Sequence, residues 1–139
     1  MGLSVSLNRE KWISYDKGET YQVELEKVFS LNITHRLSNM AEHAGLYDVL
    51  WRPYKLKKDA PINDYNDEYE FEKQQEIKAS EIITTLERGL KRLTDYPNYF
   101  KQFITSEGWG DYYGYLVSFV RSYLDACKKF PDAIIKVER

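Results

Sequence analysis

The two histidines of the chain, His35 and His43, lie in the stretch 29–52 together with Asn32, Thr34 and Asn39. An imidazole there can act as a general base or as a metal ligand. Eight residues separate the two histidines, which sets them about 80° apart on a helical wheel. That is not the four-residue spacing of a helical metal pair, and the single cysteine, Cys127, cannot complete a ligand set. No metal and no cofactor is therefore expected. Thr34 adjoins His35, but neighbours on a helix point in different directions, so hydrolysis would need a hydroxyl from elsewhere and a third group to orient the imidazole. Glu107 and Asp111 flank Gly108-Trp109-Gly110 and can bring a carboxylate to the same cleft; Asp111 is equally an N-cap for the helix that follows. Trp109 either locks into the core or lines a ligand pocket with Asn32, His35, Asn39, His43 and Asp111, its indole forming an apolar wall beside the polar groups.

These residues need elements to position them. From 32 to 44 the apolar positions Ile33, Leu37, Met40 and Ala44 recur every three or four residues, so the spacing predicts a central helix over 32–44, ended by Gly45. Asn32 extends its polar flank or caps its first turn, and His35 sits near the junction of strand and helix. Before it, Leu3, Val5 and Leu7 alternate with polar residues, Trp12 to Tyr15 suggests a second extended piece, and Tyr21, Val23 and Leu25 share one side of a further strand. Val28 breaks that last register, as a bulge or a strand end would. Asp16-Lys17-Gly18 reads as the turn between them.

A long helix is expected over 73–95, with Ala79, Ile82, Leu86, Leu90 and Leu93 as its stripe; Ile77 lies off that stripe, so the first turns either pack differently or are not helical. Gly89 on its apolar border implies either the close approach of another element or a tolerated penalty of about 1 kcal/mol. A last helix spans 112–130 with Leu116, Phe119, Val120, Tyr123 and Cys127 on one face, which makes Cys127 a buried thiol. The tail 133–138 is β-like and can return to the N-terminal strands. The chain thus reads as one α+β domain over 1–139, three main helices packed on a small, mostly antiparallel sheet of N-terminal strands and a C-terminal strand.

With 139 residues a core forms without disulfides. The net charge of -2 offers no general attraction to phosphate, and basic residues interleaved with aromatics are sparse, so nucleic acid is not an expected partner. No apolar run reaches membrane-spanning length and no signal core follows a basic start, so a soluble, cytoplasmic protein is expected. Aromatic residues make up 15% of the chain, including 12 Tyr, which suits a core margin or an interface. Tyr65, Tyr69 and Phe71 stand in an acidic run from 59 to 76 that can be an edge strand, a solvated loop or the approach to a helix.

The segments Asn-Ile-Thr-His at 32–35 and Gly-Trp-Gly at 108–110, the latter leading into a helix that ends near Pro131-Asp132-Ala133, resemble a small uncharacterised family of phage and bacterial proteins. The resemblance covers about a third of the chain, and Glu107 stands where that family has Asn. It implies a shared architecture and a phage-like setting, and no activity. Two functional readings follow. The first is a non-enzymatic protein-binding or self-assembling domain, with a protein partner or a homo-oligomer formed through Tyr65, Tyr69 and Phe71. The second is a small-molecule-binding protein or hydrolase built on Asn32, His35, Asn39, His43, Trp109 and Asp111.

Overall fold

The computed structural model describes residues 2–15, 20–57, 60, 65–103 and 112–139. Strand β1, Gly2–Tyr15, runs antiparallel to β2, Thr20–Thr34. Short helices α1, Ser38–His43, and α2, Tyr47–Trp51, follow a 3-10 turn at His35–Leu37. Helices α3, Tyr65–Gln74, α4, Ile83–Asp95, and the short α5, Pro97–Lys101, lead to α6, Tyr112–Lys129. Strand β3, Ile134–Glu138, returns along β1, giving a three-stranded antiparallel sheet in the order β2-β1-β3. The fold is α+β, with α3, α4 and α6 as the longer helices on one sheet.

Alternation decides which strand is central. Leu3, Val5 and Leu7 are fully buried under the helices, and each pairs with an apolar residue of β2: Ile33, Leu31 and Phe29. The register then slips, because Leu7 faces Phe29 while Asn8 faces Lys27, leaving Val28 as the extra residue of a bulge. Trp12 to Tyr15 is not a separate piece; it continues β1 as one strand. The turn expected at Asp16-Lys17-Gly18 lies outside the described residues.

The central helix differs from its expected bounds. Asn32, Ile33 and Thr34 belong to β2, opposite Ser4, Leu3 and Gly2, and α1 begins only at Ser38. Ile33 satisfies both a helical and an alternating pattern, and the ladder to Leu3 provides the partners that settle it. Thr34, not Asn32, caps the first turn, its hydroxyl accepting from the Arg36 N–H at 3.3 Å. Gly45 ends α1 with φ of 74°, a left-handed geometry that suits glycine.

The helix expected over 73–95 starts late. Residues 75–77 have no regular structure, Lys78 is extended and bridges Ile134, a 3-10 turn covers Ala79–Glu81, and α4 follows. The competing partner is the C-terminal strand: the Ile77 carbonyl accepts from the Ile135 N–H, and the N–H groups of Ala79 and Ser80 donate to Ala133 and Pro131, each at 2.8 Å. The acidic run, open to several readings in sequence, is helical over Tyr65–Gln74. Around β1 the core collects Trp51 and Tyr54 from the central turns, Ile82 and Leu86 from the α4 region, Phe100, and the Leu116, Val120, Tyr123 and Cys127 face of α6. No helix among the described residues is long and apolar enough to cross a membrane.

Candidate functional site

His35 is half-buried beside the end of β2, and its Nδ1 accepts the indole N–H of Trp51 at 2.8 Å. An indole N–H can only donate, so Nδ1 carries no proton and the ring's hydrogen is on Nε2. Trp51, 2% exposed, is stacked on Tyr47 at 5.3 Å between ring centroids. His43 stands elsewhere, exposed at the end of α1, with its ring 4.5 Å from that of Phe103 and its Nδ1 2.9 Å from the Asn39 carbonyl. The two imidazoles share no hydrogen-bond or ring partner among the described residues.

The other expected pocket residues do not gather with them. The Asn32 side chain, on an exposed part of β2, accepts from the Ser4 hydroxyl at 2.7 Å. It lines a shallow depression of about 270 Å³ with Tyr115 and Ser118 of α6, and neither histidine reaches that depression. Asn39 is exposed. Trp109, Asp111 and Glu107 lie outside the described residues. Among the described residues no group of three or more His, Cys, Asp or Glu side chains is placed to hold a metal ion. Burial pushes the Cys127 thiol up to about 12, which leaves it protonated at neutral pH and a poor nucleophile.

Of the aromatic contacts expected on the acidic run, Phe71 turns inward and packs near Tyr54 at 6.3 Å between centroids. Tyr65 and Tyr69 are placed only as positions on α3. The same helix is held by Arg139, whose guanidinium donates two hydrogen bonds to the Glu72 carboxylate and one to the Trp51 carbonyl, all at 2.8 Å. A clamp made by Arg139 with residues 67 and 88 positions earlier has no local sequence signal.

A different group of residues stands out on the sheet. Along β1, β3 reaches no further than Ser4–Asn8, whereas β1 and β2 stay paired to Tyr15 and Thr20. Seven residues of β1 therefore continue as a two-stranded arm of about 20 Å, at the usual rise of an extended strand. The arm has two unlike faces. On one, Trp12 opposes Val23 and Glu10 opposes Leu25; the apolar three are 67%, 42% and 49% exposed for Trp12, Val23 and Leu25. On the other, Arg9 forms an ion pair with Glu26 at 3.1 Å and Lys11 opposes Glu24. Val23 and Leu25 are legible as one side of a strand; that no helix among the described residues covers that side is not.

At the root of the arm, Asn8 is buried and donates to the Ile134 carbonyl at 3.3 Å and to the Ser6 hydroxyl at 3.1 Å, tying the start of β3 to the last three-stranded position. A cleft of about 470 Å³ opens there, lined by Arg9, Lys78 and Lys129 and by Glu10, Glu76 and Asp132, so its charges balance. Nearby, burial raises the Glu81 carboxyl, but hydrogen bonds from the Lys57 ammonium and the Lys78 N–H outweigh it and hold the group below its ordinary value. That carboxylate joins two backbone segments and is accounted for by structure alone. No protein-family model, curated protein or solved structure matches the chain.

Proposed function

We propose that the chain is a non-enzymatic, cytoplasmic protein-binding or self-assembling domain, and that its binding element is the β1–β2 arm. One observation carries the reading: Trp12, Val23 and Leu25 form an apolar stripe on a ladder that extends beyond the helical layer. Removing such side chains from water is worth roughly 1.5–3 kcal/mol each, and a central Trp is the residue type most often found to anchor an interface. The ion-paired opposite face keeps the arm solvated and gives it a defined binding side. A phage or bacterial setting is part of the proposal through the resemblance of residues 32–35 and 108–110.

The test is a photo-cross-linking amino acid at position 23, irradiated in cells of the native host. Discrete protein adducts that disappear in a Trp12→Lys background are expected. Trp12 is exposed, so that substitution leaves the core intact. If position 23 yields no protein adduct at any expression level, the arm is not a binding element.

A further inference from the structure

We infer that the occupant of the arm is a second copy of this chain, joined edge to edge through β1. The inference rests on the arm being the binding element, and it names the partner. Beyond Asn8, the side of β1 that β3 occupies has no described strand. Along Arg9–Tyr15 no strand among the described residues pairs with the backbone on that side, which leaves an edge of the kind that accepts another strand. Its limits are set by the fold: β3 begins opposite Asn8 at one end, and β1 ends at Tyr15 at the other.

The midpoint of that seven-residue edge is Trp12. Antiparallel pairing about a two-fold axis at Trp12 uses the whole free edge of both copies and stops where each copy's β3 begins. Arg9 then faces position 15, Glu10 faces 14 and Lys11 faces 13, which are Tyr, Ser and Ile, so no charge meets a like charge. Neighbouring registers are worse. An axis at Lys11 sets that lysine against itself, and one at Glu10 sets Glu10 on Glu10 and Arg9 on Lys11. An axis at Ile13 leaves Arg9 and Glu10 without strand partners. In the favoured register the two stripes merge on one side of the ribbon, Val23 and Trp12 of one copy continuing into Trp12 and Val23 of the other. The outer edge of β2 is less suited, being interrupted by the bulge at Val28 and carrying Glu24 and Glu26 two positions apart.

Cysteine pairing tests the register directly. A Glu10→Cys chain mixed with a Ser14→Cys chain is treated with a short bis-maleimide, after sedimentation velocity of the wild-type chain across a concentration series. The wild type is expected to show a monomer–dimer equilibrium, weakened by about tenfold or more in Trp12→Lys through two like charges at the axis. The mixed chains are expected to cross-link to a dimer, while each variant alone does not. Cys127 is buried and adds no background. A wild-type chain that stays monomeric at the highest concentration overturns the self-pairing, as does a dimer whose mixed variants fail to cross-link. If position 23 meanwhile links to a different polypeptide, the arm remains a binding element and only its occupant is wrong; if it links to nothing, both ideas fail.

Discussion

The indole of Trp51 has one polar atom, and in this fold it ends on a histidine 16 residues earlier in the chain. That bond explains His35 better than any catalytic role does. The pair sits at the seam between the end of β2 and α2, where a buried N–H without an acceptor costs about 1–3 kcal/mol. His35→Phe is therefore expected to lower stability by that amount, read as a shift of the urea midpoint at unchanged slope, with His35→Gln recovering part of the loss. An unchanged midpoint in His35→Phe would show that water replaces the imidazole. Some residue-scale facts were readable beforehand. Spacing alone places Cys127 on the apolar face of the last helix, and its thiol is buried. The Trp51 partner was not readable, since no periodicity links residues 35 and 51.

Among the elements, α4 shows a local penalty with a tertiary cause. A Cβ built on Gly89 would lie 2.2 Å from Cδ2 of Leu46, a fully buried side chain between α1 and α2. Glycine weakens an exposed helix, yet here it is the residue that lets the helix approach. Gly89→Ala should thus destabilise by about 1–3 kcal/mol in thermal or chemical unfolding, although Ala is the better helix former. A gain in stability would mean that Leu46 repacks freely. Of the two explanations that the pattern left open for Gly89, the close approach is the one observed. Element boundaries were less legible where two partners compete. Residues 32–34 fit a helical stripe and 75–78 adjoin one, and in both places strand hydrogen bonds from distant parts of the chain prevail. The bulge at Val28, by contrast, was visible as a broken alternation.

Across the whole molecule, protection should divide at Asn8. Amides of Ser4 to Leu7 lie between two strands, with Val5 and Leu7 in the core, whereas those of Arg9 to Lys11 have one described neighbouring strand and belong to exposed residues. In dilute protein the arm is expected to exchange its amide hydrogens faster than the central segment by on the order of a hundredfold or more. Equal protection at low concentration would require a cover for the arm within one chain.

What the amino-acid order determined by itself was the α+β class, the alternating N-terminal strands, the apolar faces of the later helices and the return of a C-terminal strand. Each follows from periodicity and from residues that start or stop an element, which act over a few positions. Only the tertiary structure decided how far β3 reaches along β1, that His35 meets Trp51, and that Arg139 clamps Glu72. Those outcomes depend on register and docking between segments far apart in the chain, where the free energy lies in contacts that no local pattern encodes.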